Sequence, residues 1–538
     1  MAKGYRPVRR DQPFLLPPDM REWLPADHAV WLVIRAVEDH LDTSAFHAAR
    51  RTGGAGTAGY DPDMLVTLLV WAYANGVTSS RRIEAACAAD VSFRVICAGD
   101  VPDHVTIARF RAAFPGAVEV LFAGVLALCA RLGMGALGTV TLDGMKIAAN
   151  ASKAANRTEE RLRMLAARRV AEHADADAAE DELFGQGRRG DEVPPAAASP
   201  ASRDERIAAA LADLEAERRA AERQREALAE AFWQRQQAGG AGAPPAGIEV
   251  EAARAKLERA RAARAGQIAG LEQRAAGPRV AGRRRDRPRA GIEDYCLVKA
   301  AREALAKAEA RAERKAAGNQ DNRNGPGPVR NITDPDSRLM PVRGGGFIQG
   351  YNAQNVASAD GLIIATELTR DSADTRWYQP MTAAAQHAAA VIAASAPAGP
   401  GRAGGHAIGL VLADAGYLSE DNLASPGPDR LIAAGKRRDA QRPGRQRSRG
   451  GQPWTSPAIT AMTARLATPQ GAAAYRQRSH IAETPHGNIK HNKGIRQLSL
   501  RGMAKAQAEW AFITTVHNLF KAITSGHLTA QTLAALAT

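Results

Sequence analysis

The feature that most constrains this chain is that its strand-like texture is broken in two. Residues 1 to about 135 read as helix. The run Thr139-Val140-Thr141-Leu142-Asp143-Gly144 is β-branched, alternates in polarity and ends in Asp-Gly, so it reads as a strand with a carboxylate at its end. From 153 to about 330, Arg, Ala, Glu and Leu take over, and strand texture resumes only at Phe347. A sheet is expected whose first strand is separated from the others by a long helical insertion.

The later segment fills in that sheet. Phe347 to Val356 reads as a strand, Asp360-Gly361 as a hairpin turn, and Leu362 to Leu368 as the returning strand. A helix follows over Trp377 to Ala394. Ile408 to Ala413 and Leu431 to Gly435 are short apolar runs of the kind found in buried parallel strands. Helical stretches near Tyr475 to Lys490 and Ala504 to Lys521 close the chain. With the insertion removed, three antiparallel strands precede an α/β alternation. This order fits an α/β fold with an RNase H-like mixed sheet, preceded by an all-helical N-terminal domain. The expected divisions are 1–135 helical, 136–152 first part of the core, 153–330 insertion, 331–525 remainder of the core and 526–538 a tail.

Local signals support the helical parts. Asp61-Pro62 supplies a cap and a first-turn proline for a segment with Leu65, Leu68, Leu69 and Trp71. The run from Pro102 to Arg111 reads as a turn and a short helix with Arg109 and Arg111 outside, and Arg109 is a candidate DNA contact. In the insertion, Ile207, Leu211, Leu214, Leu228 and Phe232 fall on one helical stripe. Further helices are expected over Val250 to Ala275 and about 291 to 316.

The formal net charge is +15, which steers a protein towards polyanions, nucleic acid foremost. The four cysteines form no CxxC pair and have no companion histidine cluster, so free thiols are expected. No apolar stretch follows the basic N-terminus. The run Val118 to Cys129 contains Glu119 and is too short to span a bilayer, so a cytoplasmic, nucleoid-associated protein with no membrane partner is expected.

Two carboxylates carry the chemistry. Asp143 and Asp414 each follow a strand, where ligand groups gather in α/β sheets. Side by side they repel, and a divalent cation such as Mg²⁺, which prefers hard oxygen ligands, removes that penalty. A third carboxylate from a helix completes a two-metal site, with ions ~3.5–4 Å apart on the attacking and leaving oxygens of a phosphodiester. The segment Tyr475 to Lys490 supplies Glu483, with Lys490 nearly two turns further on the same face. Pro485 either lets a new helix start at Thr484 or kinks the one that holds Glu483. A basic loop with Lys436, Arg437 and Arg438 would lie at the rim of the site, and Arg283-Arg284-Arg285 forms a second cluster.

At this point the chain resembles a DDE transposase of bacterial insertion sequences, in the branch with a tyrosine–arginine–glutamate–lysine signature. The likeness is carried by Tyr60-Asp61-Pro62, Pro102-Asp103-His104, Ile107 to Arg111, Leu142-Asp143-Gly144 and Gly350 to Gln354. It continues in Asp414-Ala415-Gly416-Tyr417, the Glu483 segment, Leu500-Arg501-Gly502 and His517-Asn518-Leu519. The resemblance implies an RNase H-like fold, two Mg²⁺ ions with Mn²⁺ as a substitute, double-stranded DNA at element ends and target, and a homodimer in the synaptic complex. It assigns Asp143, Asp414 and Glu483 as catalytic metal ligands, and Tyr475, Arg478 and Lys490 as DNA contacts around them. Four residues separate Arg478 from Glu483 where the broad signature has three, which on a continuous helix turns Arg478 away from Glu483. The expected activity is binding of terminal inverted repeats with metal-dependent cleavage and strand transfer. The alternatives are a non-catalytic DNA-binding descendant and a nuclease that cuts without joining.

Overall fold

The structure, a computed structural model, describes residues 19–48, 59–113, 115–168, 201–238, 244, 247–276, 291–322, 329–342, 345–397, 407–435 and 456–537. The chain divides into two compact units, one of residues 1–155 with 333–538 and one of 156–332.

Among the described residues the first unit opens with a 3-10 turn, Met20–Glu22, and the helices α1 (Ala29–His40), α2 (Ser44–Ala48), α3 (Pro62–Ala74), α4 (Ser80–Ala89), α5 (Val91–Ile96), α6 (His104–Ala113) and α7 (Pro115–Arg131). The Asp61 side chain caps α3 by accepting from the Asp63 amide, and Pro62 fills the first turn, where its missing N–H is not needed. Leu65, Leu68, Leu69, Trp71 and Tyr73 of α3 are all buried.

The sheet has six strands: β1 (Thr139–Ala148), β2 (Arg338–Pro341), β3 (Phe347–Ser358), β4 (Ile363–Thr369), β5 (Leu410–Ala413) and β6 (Asp429–Ile432). Its order is β2-β3-β1-β5-β6, with β4 also pairing β3. β3 lies antiparallel to β1, β2 and β4, whereas β1–β5 and β5–β6 are parallel. Strand β2 was not expected from the sequence. It is short and pairs only with the first residues of β3, Phe347 to Gly350. The remaining helices are α8 (Tyr378–Ser395), α9 (Glu420–Ala424), α10 (Pro457–Ala467), α11 (Pro469–Gly487), α12 (Met503–Thr524) and α13 (Ala530–Ala537).

Three expectations change here. Asp143 does not end a strand. β1 continues past Gly144 to Ala148 because β3 pairs with it all the way, Asp143 facing Asn355 and Ala148 facing Gly350. What ends beside Asp143 is its other neighbour, β5, whose last pair is Ala413 opposite Leu142. The N-terminal helices share one continuous hydrophobic core with the sheet instead of enclosing a core of their own. Residues Ala530–Ala537 form α13, with its Leu533 and the preceding Leu528 buried, where a tail was expected.

Helix α12 organises that core. Trp510, Ile513, Val516 and Leu519 are at most 1% exposed, and full burial of such side chains contributes about 1.5–3 kcal/mol each. Buried polar groups on it are paired, as burial requires. Asn518 accepts from the Ile363 amide at 2.8 Å and donates to the Ile363 carbonyl at 2.8 Å, fixing α12 on β4. Burial lowers the pKa of His517 to about 4, so the ring is neutral; its Nε2 donates to the Gly361 carbonyl at 3.0 Å and its Nδ1 accepts from Asn488 at 3.1 Å. Among the described residues no single helix is long and apolar enough to cross a membrane.

Among its described residues the second unit holds three long helices, Ala201–Gln237, Glu249–Ala276 and Cys296–Asn322, with a two-stranded pair, Asn156–Thr158 and Val329–Asn331. Ile207 and Leu214 are buried, but Leu228 of the same stripe is 47% exposed, so the stripe does not hold over the whole helix. Arg330, 3% exposed, pairs with Asp213 at 2.7 Å and with Glu217. The Arg283-Arg284-Arg285 cluster lies outside the described residues.

Candidate active site

Parallel pairing of β1 with β5 brings Asp143 and Asp414 to one place. Leu142 faces Ala413, so the next residue of each strand is an aspartate. β5 stops there, because Asp414 turns the chain by accepting from the Gly416 amide at 2.8 Å with Oδ1. Helix α11 crosses this point. Tyr475 of α11 donates its hydroxyl to the Ala413 carbonyl at 3.1 Å, anchoring the helix to the residue before Asp414. One turn later Arg478 places Nη2 at 2.8 Å from Oδ1 of Asp143 and 3.6 Å from Oδ2 of Asp414. Two turns beyond that, His486 lies with Nδ1 at 3.7 Å from Oδ2 of Asp143.

The helix passes Pro485 without breaking and runs to Gly487, where a π-helical turn, Asn488–Asn492, takes over. Glu483 therefore sits inside α11. Five residues from Arg478 is a rotation of about 140° around the axis, and Glu483 is exposed. Among the described residues it makes no ion pair with the aspartates. Lys490, in the π-helical turn, donates to the Lys146 carbonyl of β1 at 2.9 Å and is partly buried; burial depresses its pKa. Arg109 is exposed on α6. Arg111, expected outside with it, folds inward and donates to the Tyr73 hydroxyl at 3.1 Å and the Thr78 carbonyl at 2.5 Å. Lys436, Arg437 and Arg438 lie outside the described residues.

A third acid that sequence reasoning missed joins the pair. Asp374, in the connection after β4, accepts at Oδ1 from Asn352 and Gln354 of β3, both at 2.7 Å, and lies 3.7 Å from Lys146. Close approach is possible because two neighbours lack side chains. A Cβ on Gly144 would stand 2.6 Å from Oδ1 of Asp374, and one on Gly416 would stand 2.9 Å from Asp414 Oδ1 and 3.1 Å from Asp374 Oδ2. The Tyr417 hydroxyl donates to Gln354 Oε1, completing a Tyr417–Gln354–Asp374 relay. Asn352 is fully buried, and among the described residues its Oδ1 has no hydrogen-bond partner.

Electrostatics follow from this packing. Burial pushes the Asp143 carboxyl up to about 6, against the pull of Arg478 and with further upward pressure from Asp414 and Asp374. Burial pushes His486 down to about 3, helped by Lys490, His517 and Arg478, so its ring is neutral. Asn355 Oδ1 accepts from Thr366 and Trp510, which turns its amide nitrogen towards His486 Nε2 at 2.9 Å. The His486 proton is then on Nδ1, facing Asp143. The donor set is thus three carboxylates and an unpartnered amide oxygen, with a guanidinium lying between two of the acids. Hard oxygens around a cation fit a divalent metal.

The fold and the site define an α/β protein with an acidic centre at the end of a parallel strand pair. A family model described as a transposase domain (DUF772) matches residues 18–113, and one described as a transposase DDE domain matches residues 438–523. These two matches support a DDE transposase, a family whose members act on DNA with divalent metal. No curated protein and no solved structure matches it. The second matched segment contains Tyr475, Arg478, Glu483 and Lys490.

Proposed function

We propose that the protein binds the terminal inverted repeats of its own mobile element and catalyses metal-dependent cleavage and strand transfer. The observation that carries this reading is the convergence of Asp143 and Asp414 around Arg478 at the end of β5. The strand order, with β1, β3 and β4 antiparallel and β1, β5 and β6 parallel, supports an RNase H-like core. The Tyr475, Arg478, Glu483 and Lys490 spacing supports the branch with that signature.

In this reading Asp143 and Asp414 hold divalent metal, with Mg²⁺ as the physiological ion, and Glu483 of α11 turns in to complete the set. The metal, when bound, polarises the phosphodiester and lowers the pKa of the attacking water. The chain's own residues do the rest. Arg478 neutralises the acids before DNA arrives and then turns to a flanking phosphate. His486, neutral and fixed by Asn355, holds the Asp143 carboxylate in place. Tyr475 keeps α11 on β5. Lys490, Arg109 and the basic loop with Lys436, Arg437 and Arg438 contact DNA phosphates. Water attacks the phosphorus at the element end, and the 3′-oxygen leaves with a proton as a free hydroxyl. That hydroxyl then attacks a target phosphodiester in line and displaces the target's 3′-oxygen. Pairing two ends calls for a homodimer.

The test is a strand-cleavage and joining assay on DNA carrying the element ends, with Mg²⁺. Wild type is expected to give both nicked and joined products, and Asp143→Asn neither, with end binding retained. Full cleavage by Asp143→Asn overturns the assignment. Nicks without joined product identify a nuclease instead.

A further inference from the structure

The residues used so far leave one large polar cleft unexplained. It has a volume of about 510 Å³ and is lined by Thr78 to Ser80, Arg111, Asn150 and the segment Gly494 to Ser499. None of these residues is acidic. The cleft joins both family segments, residues 18–113 and 438–523, to the residue two beyond the end of β1.

Its walls are tied together. Lys493 donates to the Ala74 carbonyl at 3.3 Å, and Gly76 (φ +72°) passes so close that a Cβ would stand 2.3 Å from the Lys493 carbonyl oxygen. Asn150 donates to the Ser499 carbonyl at 2.6 Å, and Gln497 to the Ala149 carbonyl at 2.9 Å. The cleft is therefore built into the native packing.

Some of its donors are unspent. Ser79 caps α4 by position, yet its side chain makes no capping hydrogen bond, so the first-turn amides keep their donors and the positive end of the helix dipole. The Nε of Arg111 is buried with no partner. Arg496 is exposed and, among the described residues, donates only to the Lys490 carbonyl, at 3.3 Å. Among the described residues neither arginine has a carboxylate within ion-pairing distance. An exposed guanidinium and a buried Nε without a partner, beside a helix N-terminus, favour an anion.

We propose that this cleft binds a backbone phosphate of duplex DNA, several base pairs from the phosphate being cut. The assignment rests on the reading of the protein as one that acts on DNA. The spacing favours this anion. From Asp143 to Ala148, β1 extends about 16 Å at roughly 3.3 Å per residue. That is close to five base-pair rises of about 3.4 Å. Five base pairs is about half a turn, so the phosphates that face the protein at that range are those across a groove from the one held at Asp143. The sequence's net charge of +15 acts in the same direction.

The experiment measures binding of a fluorescein-labelled duplex of arbitrary sequence to the full-length protein by anisotropy over a range of NaCl. Phosphate contacts are sequence-independent, so element ends are not needed. Two substitutions probe the cleft without touching the core. Arg496→Gln removes one cation. Ser80→Asp places a negative charge in the first turn of α4, where it favours the helix but repels phosphate. Both are expected to weaken binding by about threefold to tenfold, and Arg496→Gln to make the plot of log affinity against log salt shallower by about one. Ser80→Asp keeps the wild-type melting temperature or exceeds it, and the uncharged Ser80→Asn binds as wild type. If wild type binds DNA but both charged variants match it in affinity and salt dependence, the cleft assignment is wrong and the transposase reading stands. If wild type itself binds no DNA, both fall together.

Discussion

Arg478 and Asp143 form the pair on which the site turns: Nη2 lies 2.8 Å from Oδ1, with the two side chains 17% and 19% exposed. The pairing is intramolecular neutralisation. A half-sequestered aspartate with two acidic neighbours is costly alone, and a guanidinium from α11 supplies the opposite charge. In the proposed reading this cation stands where divalent metal would be held, so the two would compete for the same oxygens.

Competition has a measurable sign. Arg478→Gln removes the resident cation while keeping a polar side chain. The metal-free variant is expected to melt lower than wild type, and Mg²⁺ to raise its melting temperature by more than it raises that of wild type. Removing one nearby positive charge should tighten metal binding by about tenfold, or about 1.4 kcal/mol. An equal Mg²⁺ shift in both proteins, followed by differential scanning fluorimetry, would show that Arg478 and the metal do not share a place.

The raised carboxyl of Asp143 sets a pH dependence. Its folded pKa is about 6, against an ordinary value of 3.8, so the folded state holds the proton more tightly than the unfolded chain. The stabilisation is complete below about pH 4 and is lost as pH rises through 6. The total is no more than about 3 kcal/mol, at 1.36 kcal/mol per pH unit. Metal-free wild type should therefore lose stability between pH 4 and 6.5 relative to Asp143→Asn, which has no proton to lose there. Parallel urea-denaturation profiles of the two proteins over that range would contradict the assignment.

Asp374 should matter to activity as the assigned acids do. Asp374→Asn keeps the shape but removes charge beside Lys146 and next to Asp414, and is expected to slow metal-dependent nicking by about tenfold to a hundredfold. Gly144→Ala should act on the same group by steric means, since its Cβ would meet Oδ1 of Asp374 at 2.6 Å. Wild-type nicking rates in both variants would reduce Asp374 to a structural residue.

A separate prediction concerns the joint between the N-terminal helices and α12. Glu509, 3% exposed, accepts from the Tyr73 hydroxyl at 2.9 Å and from the Ser499 and Leu500 amides, each at 2.8 Å. Glu509→Ala leaves all three donors unpaired, at about 1–3 kcal/mol for each group that stays dry. A loss of at least 3 kcal/mol is expected in chemical denaturation, with Glu509→Gln losing less because it retains an acceptor. A cost below 1 kcal/mol for Glu509→Ala would mean that water reaches these donors.

The sequence by itself determined most of the order of strands and helices, the cap at Asp61, the hairpin after Ser358 and an aspartate beside each of two strands. These depend on periodicity, turn chemistry and residues near one another in the chain, which local physics governs. Only the tertiary structure decided that Asp143 lies within β1 and that the N-terminal helices share the sheet's core. It also turned Arg111 inward and Arg478 to face Asp143, and it brought Asp374 in beside Gly144 and Gly416. Each of those outcomes depends on which strand stops where its neighbour continues, and on how closely segments hundreds of residues apart can approach. A side chain's burial and its charge partners follow from that approach, and no local pattern encodes it.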